Sequence, residues 1–88
     1  MNITYAKQAL KDLRNLTPNM RKRIVQKLHW YRHQDDPLSF AKHLTDSTHG
    51  EYRFRIGNYR ILCDVKNGKI RILVILSVKH RKDAYRKQ

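Results

Sequence analysis

Between residues 51 and 65 the chain reads EYRFRIGNYRILCDV, with Arg53, Arg55 and Arg60 set into two short apolar runs around Gly57-Asn58. A guanidinium group stays protonated at any relevant pH, and its planar fork donates two parallel hydrogen bonds to a phosphate. Several of them gathered on one surface suit a phosphate-rich ligand. If Gly57-Asn58 is a two-residue hairpin loop, Ile56 pairs with Tyr59, Arg55 faces Arg60, Phe54 meets Ile61 and Tyr52 meets Cys63. Alternation then assigns Tyr52, Phe54, Ile56, Tyr59, Ile61, Cys63 and Val65 to one apolar face, and Arg53, Arg55 and Arg60 to the other. Like charges directly opposed on a sheet cost on the order of 0.2 to 1 kcal/mol per pair, which a bound anion offsets. Acids are scarce nearby. Asp64 is the only carboxylate in the second run, and the same pairing rule carried through Asn67-Gly68 sets it opposite Arg71. That register brings Leu62, Leu73, Ile75 and Ser77 to the basic face and aims Lys79 and Arg81 the same way. The alternative is that the arginines fan into water on a half-solvated sheet.

These side chains need elements to position them. Residues 2 to 5 read as a short strand. YAKQALKDLRNL places Ala6, Ala9, Leu10, Leu13 and Leu16 at helical spacing. Thr17-Pro18 is a helix start, because the hydroxyl accepts an orphan N–H and proline needs no partner at the first helical position. Met20, Ile24, Leu28 and Tyr31 form the stripe of this second helix, which QDDP at residues 34 to 37 stops. Residues 38 to 50 leave the choice between one or two helical turns followed by loop. After residue 50 the period becomes alternating, and Gly57-Asn58 and Asn67-Gly68 divide the remainder into three strand-like runs, a meander. KIRILVILSV is apolar on both faces, as in a central strand. Residues 80 to 88 read as a short helix or tail.

The bulk numbers agree with a polyanionic partner. The 88 residues carry 20 Lys and Arg against 7 Asp and Glu, a formal net charge of +13. This length makes one domain, and no repeat or linker divides it. The lone Cys63 has no partner for an internal disulfide, the N-terminus lacks a signal-peptide core, and no apolar run approaches the roughly 20 residues of a membrane span. A reducing cytoplasm fits best.

The strings HGEYRFRIGNYRILCDV and IRILVILSVKHRKDAYR resemble the RelE toxins of the RelE/ParE superfamily, the toxin halves of bacterial and archaeal toxin-antitoxin pairs. The resemblance rests on G-x-YR at residues 57 to 60, on HRKDAYR at residues 80 to 86, and on the order of elements over most of the chain. It implies a single RelE-like α+β domain over residues 1–88: two N-terminal antiparallel helices on one face of a small, mainly antiparallel sheet, with a short C-terminal helix or tail. The implied activity is endonucleolytic cleavage of mRNA in the decoding site of a translating ribosome. The RNA 2′-hydroxyl attacks the neighbouring phosphate and expels a 5′-hydroxyl, without metal or cofactor. This chemistry needs a proton acceptor, a proton donor and stabilisation of charge on a five-coordinate phosphorus.

By position in the resembling motifs, Arg60 matches the strand arginine that stabilises the phosphate, and Arg81 the arginine near the leaving group. Tyr85 matches the C-terminal tyrosine that orients the nucleotide or shares in proton transfer. Arg53 and Arg55 stand where the best-known member has two lysines, one of them assigned as general base. Arginine, with a pKa above about 12, is a poor proton acceptor. Arg55 therefore holds phosphate, and the base falls to His80, Tyr85, His49 or no single side chain. His80 is preferred because imidazole titrates near neutrality and the residue abuts Arg81; the competing reading has it packing or capping the last element. Arg53, Lys79 and Lys82 complete the RNA-binding set. The implied partners are mRNA on the ribosome, ribosomal RNA, which RKRIVQK of the second helix also suits, and a cognate acidic antitoxin.

Two other functions compete: a ParE-like inhibitor of DNA gyrase without nuclease residues, and a simple basic RNA-binding module. Among the remaining signals, His29 and His33 stand four apart but lack a third metal ligand. Trp30 lies off the main apolar stripe, as core or as an exposed partner contact. Tyr52 and Phe54 belong by parity with the core, and Cys63 reads as a buried, inert thiol.

Overall fold

Thr17 and Pro18 divide the helical half of the molecule as their chemistry requires. In the computed structural model, which describes residues 1–45 and 50–84, β1 (Asn2–Tyr5) leads into α1 (Lys7–Arg14) and then α2 (Pro18–Arg32). Thr17 Oγ1 accepts the Met20 backbone N–H at 3.3 Å, and Pro18 occupies the first helical position. Arg21 reaches back across the joint, its Nε donating to the Leu13 carbonyl at 3.0 Å and its Nη2 to the Leu16 carbonyl at 3.2 Å. The Leu13 oxygen also accepts the Leu16 backbone N–H at 3.2 Å, so a backbone bond and one cation together fix the entry of α2 to the exit of α1.

A 3-10 turn at Pro37–Phe40 follows α2. It leads to a two-residue strand, β2 (Lys42–His43), in the stretch that the sequence leaves undecided. The rest is β3 (Tyr52–Ile56), β4 (Tyr59–Lys66), β5 (Ile72–His80) and a short α3 (Arg81–Ala84). Among the described residues the strands form one sheet in the order β1-β5-β4-β3-β2, antiparallel except for β1 against β5. The fold is α+β, with the helices packed against a mostly antiparallel sheet. The core sits where Ala9 and Leu13 of α1 and Ile24, Leu28 and Tyr31 of α2 meet Phe54, Ile56, Ile61, Cys63, Leu73, Ile75 and Val78. Tyr31 stacks on Phe54 with ring centroids 4.8 Å apart. Leu10, placed on the apolar stripe by spacing, is exposed instead. No described helix is long and apolar enough to cross a membrane.

The first hairpin has the expected register throughout, from Ile56 opposite Tyr59 to Tyr52 opposite Cys63. Gly57 has φ +57° and no other residue of that turn has a positive φ, so a glycine is needed at the first turn position. The second turn corrects the expectation. Gly68 has no positive φ, Asn67-Gly68 does not close a tight hairpin, and residues 67–71 form a longer connection. Lys66 pairs with Ile72, so Asp64 lies opposite Val74 rather than Arg71. Burial decides this register. Leu73 and Ile75, expected on the basic face, lie opposite Val65 and Cys63 and are fully buried. A bulge then intervenes: Cys63 pairs with Ile75 but Leu62 pairs with Ser77, leaving Leu76 over. The extra residue flips the parity of β5. Ser77 and Lys79 therefore reach the arginine face as expected, through two displacements that cancel.

Candidate functional site: an arginine cleft at the Gly57-Asn58 turn

Across β3, β4 and β5 the ladder sets Arg55 opposite Arg60 and Arg60 opposite Lys79, a lateral row of three cations on the face away from the core. The neighbouring row runs Lys42, Arg53, Leu62, Ser77. Where β5 ends, the backbone N–H of Arg81 donates to the Asn58 carbonyl at 2.7 Å, which pins the start of α3 against the β3–β4 turn. The result is a cleft of about 470 Å³ lined by Arg55, Gly57, Asn58, Tyr59, Arg60, Arg81 and Lys82. No carboxylate is among these residues. Arg55, Arg81 and Lys82 are exposed, whereas Arg60 is only 6% exposed, a guanidinium held in place by its surroundings. Fixed donors that converge on one cavity cost little reorganisation when charge develops on a bound phosphate.

The other candidate residues stand apart from this cavity. Lys79 shares the row with Arg60 but does not line the cleft. Its Nζ pairs with Asp12 Oδ1 at 3.4 Å, while Asp12 Oδ2 accepts the Val78 backbone N–H at 2.9 Å. That N–H lies on the outer edge of β5, past the end of its pairing with β1 at Tyr5–Ile75. One carboxylate thus satisfies a bare strand edge and orients Lys79. Arg53 lies one row farther out, opposite Leu62, and both Arg53 and Arg60 interact with other groups of the chain. His80, the preferred base, pairs with Tyr59 on the ladder, and the two rings meet edge to face with centroids 5.2 Å apart. Its Nδ1 accepts the Lys82 backbone N–H at 3.2 Å, which places the proton of the neutral ring on Nε2. His80 does not line the cleft. Tyr85 and His49 lie outside the described residues.

The sequence reading missed two contributors. Asp12 is 67 residues away from Lys79 in the chain, and no local signal connects them. Lys42 joins the arginine face through β2, a strand too short to declare a period. Cys63 is buried as expected, and burial, reinforced by the Asp64 charge, pushes its thiol up to about 12. His29, His33 and Trp30 are all exposed. Among the described residues, no three His, Cys, Asp or Glu side chains are grouped to hold a metal ion.

Fold and cleft together define a small α+β protein with a basic cleft between its sheet face and the start of α3. Residues 3–85 match the family model of the ParE toxin of type II toxin-antitoxin systems. The chain is 31% identical over 87 residues to Toxin RelE3 of Methanocaldococcus jannaschii, covering 97% of this chain and 96% of that protein. Its fold is similar to that of a chain in the toxin-antitoxin complex RelBE2 from Mycobacterium tuberculosis, with a TM-score of 0.73 and 28% identity over 91% of this chain and 96% of that one. A chain of the RelB-RelE antitoxin-toxin complex from Methanococcus jannaschii gives a TM-score of 0.66 and 30% identity, covering 92% and 93%. The chain belongs to the RelE/ParE family of type II toxin-antitoxin toxins.

Proposed function

We propose that this toxin is a ribosome-dependent mRNA endoribonuclease, working in the cytoplasm and silenced by a cognate acidic antitoxin. The observation that carries this reading is the convergence of Arg55, Arg60, Arg81 and Lys82, from three separate elements, on one cleft free of carboxylates. In the reaction the ribose 2′-oxygen bonds to the adjacent phosphorus while the bond to the 5′-oxygen breaks. The products are a 2′,3′-cyclic phosphate and a 5′-hydroxyl. Arg55 and Arg60 take the non-bridging oxygens, Arg81 stabilises the departing oxygen, and Lys82 holds a flanking phosphate. Arg53 and Lys79 extend the basic surface beside the site. With His80 turned onto Tyr59, catalysis rests mainly on positioning and charge, and Tyr85 is assigned to orient the nucleotide or share in proton transfer. No cofactor or metal is assigned a role in the cleavage step. The net charge of +13 and the toxin-antitoxin complexes of the solved relatives support an acidic antitoxin as the regulator.

The matched family model bears the ParE name, which favours gyrase inhibition as the second reading. Induction in cells separates the two. The nuclease reading predicts arrested translation and new mRNA ends within codons, both abolished by Arg60→Ala or Arg81→Ala. Intact messages with trapped gyrase select the other.

A further inference from the structure

A second cavity opens on the other side of the Gly57 turn. It is a groove of about 520 Å³ between α2 and β3, lined by Asn19, Lys22, Arg23, Gln26, Lys27, Trp30, Arg55, Ile56 and Gly57. Arg55 and Gly57 line both cavities, so the groove continues the cleft. The joint is close: a Cβ built on Gly57 would lie 3.3 Å from Arg23 Nη1, which puts the Arg23 guanidinium directly against the turn. Its described lining again contains no carboxylate, and its cations descend one face of α2. At the far end stands Trp30, 46% exposed, its indole braced edge-on by Phe40 at 5.3 Å and Tyr31 at 5.6 Å. Lys27 Nζ lies 4.4 Å from the centre of that ring.

Singly exposed aromatics need no explanation. An aromatic held rigid beside a file of cations, contiguous with a phosphate-binding cleft, is the arrangement by which proteins track a single strand. Cations follow the backbone and the ring stacks a base. We infer that the groove between α2 and β3 binds the single-stranded RNA flanking the scissile linkage, with Lys22, Arg23 and Lys27 on its phosphates and Trp30 stacked against a base. The inference rests on the nuclease reading of the adjacent cleft and extends it to substrate beyond the cleaved step. An acidic polypeptide satisfies the cations equally well but leaves the indole without a planar partner, which is why RNA is the favoured occupant.

Trp30 is the only tryptophan in the chain, so its emission reports on the groove alone. The test titrates the full chain with a 2′-O-methyl oligouridylate of about ten nucleotides, chosen within the usual site size, with the 2′-O-methyl trinucleotide, and with inorganic polyphosphate. Methylation blocks attack, so binding is read without cleavage. Saturable quenching of Trp30 by the longer strand and not by polyphosphate is the expected result. With labelled RNA, the longer strand should bind the wild-type protein more tightly than the trinucleotide. Trp30→Ala should remove about tenfold of that gain, and Lys22→Glu with Lys27→Glu, both at exposed positions, should remove most of it. Equal quenching by polyphosphate, or an undiminished length dependence in both variants, overturns the assignment. Poly-glutamate that quenches Trp30, and that binds Trp30→Ala more weakly, also overturns it, in favour of an acidic protein. Wild-type protein that leaves messages intact in cells overturns the nuclease reading itself. Unquenched Trp30 in a protein that cleaves overturns the groove assignment alone.

Discussion

Replacing Arg60 by alanine removes a buried guanidinium from the cleft without touching the apolar face behind it, since Arg60 and the core residue Ile61 point to opposite sides of β4. Loss of one fixed donor to a charged transition state costs roughly 10²–10³ in rate, and that is the loss predicted for Arg60→Ala in initial rates of message cleavage. Arg60→Lys keeps the charge and loses the fork, so it should recover binding better than rate. His80→Gln should lower the rate by less than about tenfold, because the ring rests on Tyr59 and not in the cleft; general base catalysis is worth about 10²–10⁴, and a loss of that size would return the base role to His80. Cys63 gives a prediction of opposite character. Its folded thiol is raised from 9.0 to about 12, so folding favours the protonated form. The associated stability is complete below pH 9.0 and is lost as pH rises toward about 12. Iodoacetamide should accordingly spare native Cys63 and label it rapidly in urea.

At the scale of elements, Asp12 is where the sheet edge and the basic row are tied together. Asp12→Ala strips a partner from the Val78 N–H and from Lys79. It should destabilise the fold by about 1–3 kcal/mol in urea titration, with Asp12→Asn costing less because its amide oxygen still accepts the N–H. Gly57→Ala forces a side chain into the left-handed region at φ +57° and against Arg23, at a cost of about 1–2 kcal/mol. Elements built from local signals were legible beforehand. The Thr17-Pro18 cap, the α2 stripe and the Arg55–Arg60 pairing each depend on residues within a few positions of one another. The register of β5 was not, because it follows from burying Leu73 and Ile75 and from one surplus residue at Leu76. An Asn-Gly pair at residues 67 and 68 suggested a tight turn that those side chains overrule. In the cleft, the arginines and Lys82 were legible from spacing and resemblance. The hydrogen bond from Arg81 N to Asn58 O that joins them, and the Asp12 anchor, are contacts that no one-dimensional pattern carries.

For the whole molecule, an excess charge of +13 on 88 residues makes association strongly dependent on salt. For single strands, log affinity falls against log salt by about 0.7 per phosphate neutralised. The cleft cations Arg55, Arg60, Arg81 and Lys82 therefore predict a slope of about −3. Adding Lys22, Arg23 and Lys27 of the groove predicts about −5 for a longer strand, which fluorescence titrations across a salt series will measure.

The most direct test of the account is the chemistry of the ends made on a translated message in a purified translation system. Wild-type protein is predicted to leave 2′,3′-cyclic phosphate and 5′-hydroxyl ends within codons, and Arg60→Ala and Arg81→Ala to leave the message whole. Intact messages with wild-type protein, 5′-phosphate ends, or cleavage undiminished in both variants would contradict it.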